Sequence, residues 1–148
     1  MTSHTATFDR KTWMGLLARA KPERLAQLFP ELPAHELLRP PEIGAVMVQG
    51  RAGGAGSAFN LGEMTVTRCA LRLISGAVGH AHVQGRDKPH ATRAAVVDAL
   101  MQTDQAAALA AQVLAPLQDE ERVRRSARAA RAAATKVEFF TLVRGEDQ

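Results

Sequence analysis

The segment from Gly79 to Ala91 gathers the residue types best suited to chemistry in this chain: His80, His82 and His90, three of its five histidines, with Arg86, Lys88 and the acid Asp87. Val78 to Gln84 alternates as a strand does, so His80 and His82 share one face. Gly85 breaks the alternation. Asp87 then suits a helix N-cap, with Lys88 and Pro89 in the first turn of a helix running on through Ala94, Val97, Leu100 and Met101. Free backbone N–H groups beside Arg86, Lys88 and His90 would favour an anion, above all a phosphate or carboxylate. The competing reading leaves the cations solvated and gives Asp87 the cap alone.

Other patterns are weaker. His80 and His82 form an H-x-H pair of the kind that can ligate zinc, but no acid or cysteine at ligand spacing completes a site, so the pair reads as a solvated or interfacial strand edge. Gly50 to Gly56 is a glycine-rich loop with one arginine, Arg51. It lacks the Gly-Lys-Ser/Thr ending of a P-loop and the strand-then-helix setting of a dinucleotide fingerprint. Gly53, Gly54 and Gly56 therefore favour a hairpin turn needing positive φ, with Arg51 anchored beside it. Glu42, Glu63, Asp87 and Asp98 form no close carboxylate pair, and Ser57 and Ser75 sit in turn-forming sequence, so no general acid–base set or nucleophile stands out. Asp119 to Glu121 followed by Arg122, Arg124, Arg125, Arg128 and Arg131 reads as a helix whose charges complement its dipole. Arg124, Arg128 and Arg131 make a cationic stripe that could grip nucleic acid, although aromatic residues for base stacking are missing from the segment.

The elements that must position these residues can be read from periodicity. Asp9 caps a first helix with Trp13, Leu16, Leu17 and Ala20 on one stripe. Short helices over Glu23 to Phe29 and Ala34 to Leu38 follow, before Pro40 and Pro41 force an extended link. Ile43 to Gln49 reads as a strand, Phe59 to Leu61 begins a second, and Glu63 to Ile74 is the longest, with Gly62 as a bulge or turn. Along it Thr67, Cys69, Leu71 and Leu73 face one side, Arg68 and Arg72 the other. Ser75 and Gly76 supply a two-residue hairpin before Ala77 to Gln84 returns antiparallel. Pro89 to Leu114 is helical with a break at Thr103 and Asp104, where Asp104 caps the new segment, and Pro116 closes the stretch. Lys136 to Val143 returns to strand alternation. The expectation is one α+β domain over residues 1–148: N-terminal helices, a small antiparallel sheet, long helices and a C-terminal strand, with residues 1–7 a leader and 144–148 a tail.

At 148 residues the chain is long enough for a real core, yet only 4% of it is aromatic. Several apolar strand positions could find their cover on a partner. A net charge of +4 and a pI near 10.0 favour an acidic or phosphorylated partner. Cys69 is the one cysteine, which excludes an intramolecular disulfide, and it reads as a buried small apolar side chain. No stretch approaches the roughly 20 apolar residues that span a bilayer, and the first residues lack the basic start and apolar run of an export signal. A cytoplasmic location is expected.

Arg51 to Gly56, Phe59 to Arg68, Val83 to Lys88 with His90 and Ala91, and Val137 to Gly145 together resemble the PhnG family, the G subunit of the bacterial carbon–phosphorus lyase. Trp13 and Met14 near the start and Asp98 to Met101 agree with it, so the resemblance covers nearly the whole chain. It implies membership of an assembly that transfers the ribose 5-triphosphate of ATP to methylphosphonate, releasing adenine, before the C–P bond is cleaved elsewhere in the complex. The implied partners are H, I and J subunits in a hetero-oligomer, with ATPase-like accessory subunits, and neither nucleic acid nor membrane. The I-type subunit would carry the nucleosidase and transferase site, and the J-type subunit the iron–sulfur cluster and S-adenosylmethionine. ATP is then a substrate of the complex, and this chain binds no cofactor or metal of its own. The family carries no catalytic residue over to this sequence. Physics alone nominates Arg51, Arg68, Arg86, Lys88 and His90 as anion-contacting or partner-facing, the arginines lowering the repulsion between two anionic reactants. The alternative is a free-standing basic regulator that binds nucleic acid; a small metal hydrolase using His80 and His82 is a third reading.

Overall fold

Asp9 starts the first helix, α1 (Arg10–Arg19), by accepting the Thr12 N–H at 2.8 Å. Phe8 before the cap and Trp13 one turn on are both buried and line one cavity, the positions of a hydrophobic staple. In the computed structural model, which describes residues 7–145, α2 (Pro22–Leu28) follows with Pro22 in its first turn. Three strands then form an antiparallel meander, β1 (His35–Arg51), β2 (Ala58–Leu73) and β3 (Val78–Gln84), in that spatial order. Next come α3 (Lys88–Leu100), a short α4 (Ala106–Leu109), a π-helical turn over Ala110–Leu114, and α5 (Ala115–Gly145). The fold is α+β.

The core surrounds α3, which packs on one sheet face and against buried residues of α1, α2 and the Leu109–Leu117 stretch. Thr67, Cys69, Leu71 and Leu73 of β2 and Ala81 and Val83 of β3 are buried, and Arg68 and Arg72 point away, as the alternation predicts. α3 lies against β3 so closely that a Cβ on Gly79 would overlap the Ala95 carbonyl. Only glycine fits there. Gly76, at φ +94°, supplies the left-handed residue of the β2–β3 connection, which is closed by Leu73 N–H to Ala77 O at 2.9 Å and is therefore one residue longer than the expected two.

Four further expectations are corrected. Ala34 to Leu38 is not a helix: from His35 onward it belongs to β1, and Pro40 and Pro41 sit inside that strand. The register slips on both sides of them, between Leu37 and Arg39 and between Arg39 and Glu42, and an edge strand with bulges tolerates residues that have no N–H to donate. Asp104 is not the cap; α4 has Gln105 at its N-cap, without a side-chain bond, and Thr103 closes the turn instead through Oγ1, donating to Leu100 O at 2.6 Å and accepting from Gln105 N at 3.2 Å. Pro116 does not end the helix. The widened π-turn just before it, where Ala115 N–H reaches Ala110 O, relaxes the backbone that a proline ring would otherwise crowd. Lys136 to Val143 is no strand but part of α5, because extending an alanine-rich helix adds a hydrogen bond per residue whereas a strand must find an edge. Phe59–Leu61 and Glu63 to Leu73 form one continuous β2, paired through Gly62 to Val48. Residues 1–6 of the expected leader and 146–148 of the expected tail lie outside the described residues.

Asp98 on α3 is fully buried and ties three elements together. Its Oδ1 accepts Trp13 Nε1 at 2.8 Å and Arg10 Nε at 3.3 Å; Oδ2 accepts an Arg10 terminal N–H at 2.9 Å and the His80 backbone N–H at 2.8 Å. All four contacts are donors. Asp98→Asn turns an amide N–H toward them and is expected to destabilise the fold by about 3 kcal/mol, in the range for breaking a buried charge network. Urea unfolding of the two proteins checks this; a loss under about 1 kcal/mol, the worth of an ordinary hydrogen bond, would show that the carboxylate charge is not needed.

Candidate functional site

The corner at Gly85 to His90 forms as its residue types dictate. Gly85 has φ +92° and hands its carbonyl to Thr67 Oγ1–H at 2.7 Å, while Asp87 Oδ1 accepts the His90 N–H at 2.9 Å as an N-cap. Arg86 and Lys88 are exposed on either side of that cap. His90 is not. Its ring is 1% exposed, and Nε2–H donates to Leu17 O at 3.0 Å, so it is a core residue joining α3 to α1 and presents no nitrogen to an external anion. Nδ1 is buried without a partner. The first turn of α3 faces inward at His90, Ala91 and Ala94; a histidine in step with alanines at helical spacing was the sequence signal for this.

The remaining nominated cations lie apart. Arg51 is at the far end of the β1–β2 hairpin, where its guanidinium donates to Gly56 O at 3.2 Å and closes a turn in which Gly53 and Gly54 have φ of +60° and +80°. Arg68 stands on the open sheet face, 3.9 Å from Glu42. Ala58 pairs with Arg51, and from Ala58 to Arg68 the strand runs for about 30 Å at about 3.3 Å per residue. Arg51 and Arg68 therefore do not form one wall within this chain. His80 and His82 are exposed on β3, with His82 opposite Arg68 in register. Among the described residues no group of three or more His, Cys, Asp or Glu side chains is placed to hold a metal ion.

A second cationic region was only half visible in the sequence. Arg124 and Arg128 of α5 line a cavity with Arg19, Gln84, Glu121 and Arg125. Arg19 was not singled out at all, because its meeting with α5 depends on tertiary packing. Cys69 is buried, and burial pushes its thiol pKa up, partly opposed by Thr92. It is no nucleophile.

Burial pushes the His90 pKa below its ordinary value, with the Leu17 carbonyl and Asp87 opposing. The unfolded chain therefore binds a proton more readily than the folded one, so this contribution to stability is present above pH 6.5 and is lost as pH falls below it. Below that point the loss approaches about 1.4 kcal/mol per pH unit until the folded form also titrates. His90→Gln, which keeps a donor for Leu17, is expected to be less stable at neutral pH but to lose this slope, as read from melting temperatures between pH 7.5 and pH 5. An unchanged slope would mean that the ring is not neutral and buried.

Comparison with known proteins bears on these features. The model of the family described as phosphonate metabolism protein PhnG matches residues 8–145. A relative from Rhizobium meliloti (strain 1021), alpha-D-ribose 1-methylphosphonate 5-triphosphate synthase subunit PhnG, is 45% identical over 146 residues, covering 94% of this chain and 91% of its own. With a match of that extent taking in α1, the hairpin and the Asp98 helix, the chain belongs to the PhnG family.

Proposed function

We propose that this chain is a non-catalytic subunit of a cytoplasmic synthase that transfers the ribose 5-triphosphate of ATP to methylphosphonate with release of adenine. H-, I- and J-type subunits stand beside it. The transferase site is on the I-type partner, the iron–sulfur cluster and S-adenosylmethionine are on the J-type partner, and this chain binds no cofactor. The Rhizobium meliloti relative, a subunit of alpha-D-ribose 1-methylphosphonate 5-triphosphate synthase, supports this reading. Support for a partner-dependent role comes from the hairpin.

Beyond Val66, where the pairing of β2 with β3 ends, β1 and β2 run on as a two-stranded arm that leaves Met47, Phe59 and Leu61 53, 46 and 62% exposed. Two strands with both faces wet are marginal on their own. The outer edge is bare as well: Ile43 to Gly50 contains neither a charge nor a proline, two of the devices by which soluble proteins protect an exposed edge. Such an arm suits a chain whose cover comes from another polypeptide. A free-standing nucleic-acid regulator would gain nothing from it. The charges of α5 also speak for internal docking, since Glu120 and Glu121 pair with Arg24 at 2.6 Å and Arg19 at 3.1 Å.

Met47→Asp with Leu61→Asp tests the reading, because both side chains lie outside the core and the variant should fold. Co-expressed with its genomic neighbours, the wild-type chain is expected to purify with them in fixed ratio and the variant to be lost from the complex, with its own melting temperature unchanged. Equal recovery of both chains in the complex would remove the arm from the interface. A wild-type chain that purifies alone as a stable monomer would overturn the subunit reading.

A further inference from the structure

Between α1 and α5 lies a groove in two lobes, about 500 and 220 Å³, which share Arg19, Glu121 and Arg125. Its walls carry six cations, Lys11, Arg19, Arg122, Arg124, Arg125 and Arg128, against the one carboxylate of Glu121. That imbalance is not neutralised nearby. Arg122 reaches Asp119 only at 3.7 Å with both side chains exposed, and among the described residues Lys11, Arg124 and Arg128 meet no carboxylate within salt-bridge distance.

Glu121 sets the geometry. Its side chain is 11% exposed, accepts Arg19 Nε and a terminal Arg19 N–H at 3.2 and 3.1 Å, and holds an Arg125 terminal nitrogen at 2.7 Å. One buried carboxylate thus fixes two guanidinium planes, each with N–H groups to spare, while Arg124 and Arg128 stand free across the smaller lobe. A guanidinium held on one edge gives up less freedom when its other edge binds, and its fork matches the paired oxygens of a phosphate. Several such forks in one groove call for a ligand with several anionic groups in a row.

We propose that this groove binds the triphosphate chain of a nucleoside or ribose triphosphate. The inference rests on the reading of this chain as a synthase subunit for the choice of ligand, and it deepens that reading: the phosphates are held here while the ribose end extends toward a partner's site. Orthophosphate or methylphosphonate brings too few charges to engage the set. A nucleic acid duplex fits poorly, because α1 offers a wall of only about 15 Å at about 1.5 Å per residue and Gln84 of β3 lies across the smaller lobe.

Calorimetric titration of the full chain with inorganic tripolyphosphate, ATP, AMP and a short DNA duplex at fixed salt tests this. Tripolyphosphate and ATP are expected to bind and compete, AMP to bind far more weakly, and Arg124→Ala with Arg128→Ala to weaken tripolyphosphate at least about tenfold, a loss well above experimental scatter. Arg39→Ala with Arg72→Ala removes the same charge from the sheet and is expected to change affinity by less than about threefold. Equal losses in the two double variants, no binding by the wild type, or displacement of tripolyphosphate by the duplex would each overturn the proposal. The same titration on the co-purified complex separates the two readings: failure of the neighbours to co-purify counts against the subunit role and leaves the isolated-chain result standing, whereas an intact complex with no Arg124- and Arg128-dependent binding counts against the groove alone.

Discussion

The buried Asp98 carboxylate is the constraint on which the arrangement of this chain depends. A carboxylate taken out of water is tolerated only when its lone pairs are filled, and here an indole, a guanidinium and a backbone amide fill them. The backbone amide belongs to His80 on the free edge of β3. Four residues on, Gln102 donates to Val78 O at 2.8 Å and to Asp98 O at 3.1 Å, so two side chains at helical spacing satisfy both kinds of backbone group on that edge. α1 is held against β3 by the same contacts, and its C-terminal end is thereby set where Arg19 meets Glu121.

The two edges of the sheet have opposite fates. Side chains of this chain close the β3 edge, while β1 keeps a bare edge and an apolar arm. This asymmetry leaves the sheet closed on one side and open to pairing on the other. Gly79 adds to it: the contact with Ala95 lets α3 sit close enough for Asp98 to reach around β3, and among the described residues no glycine of the distal arm meets a helix in this way.

Local chemistry was legible in the sequence and long-range cover was not. The Asp9 and Asp87 caps, the Gly76 turn, the Arg51 turn and the alternation from Thr67 to Leu73 each depend on neighbours in sequence, and each stands where its residues put it. Pro40 and Pro41 misled because their cost depends on whether the missing N–H would have had a partner, and on a bulged outer strand it would not. Pro116 misled because a π-turn is not encoded by any one residue type. Asp98 carries its signal only as the one charge in the apolar run from Ala94 to Leu100, which says that partners must exist without saying which. His90 was misjudged for the reverse reason: a polar residue beside exposed cations was read with its chain neighbours rather than with the helix face it shares with Ala91 and Ala94.

The same distinction explains the charge of the α1–α5 region. In sequence, acids at Asp119 to Glu121 followed by arginines look like a helix balanced against its own dipole. In space, Glu120 and Glu121 are engaged by Arg24 and Arg19 from α2 and α1, so these acids dock the helix. Docking spends the negative charge and leaves Arg124 and Arg128 uncompensated on the groove side. The modest +4 of the whole chain thus understates its local field, because charge of one sign is concentrated where two helices meet and field lines cannot spread into water on all sides. A helix that needed only dipole balance would have been served by lysines anywhere in its last turns; one that must dock and still present guanidinium forks needs its acids and arginines interleaved over consecutive turns, as Glu121, Arg124, Arg125 and Arg128 are.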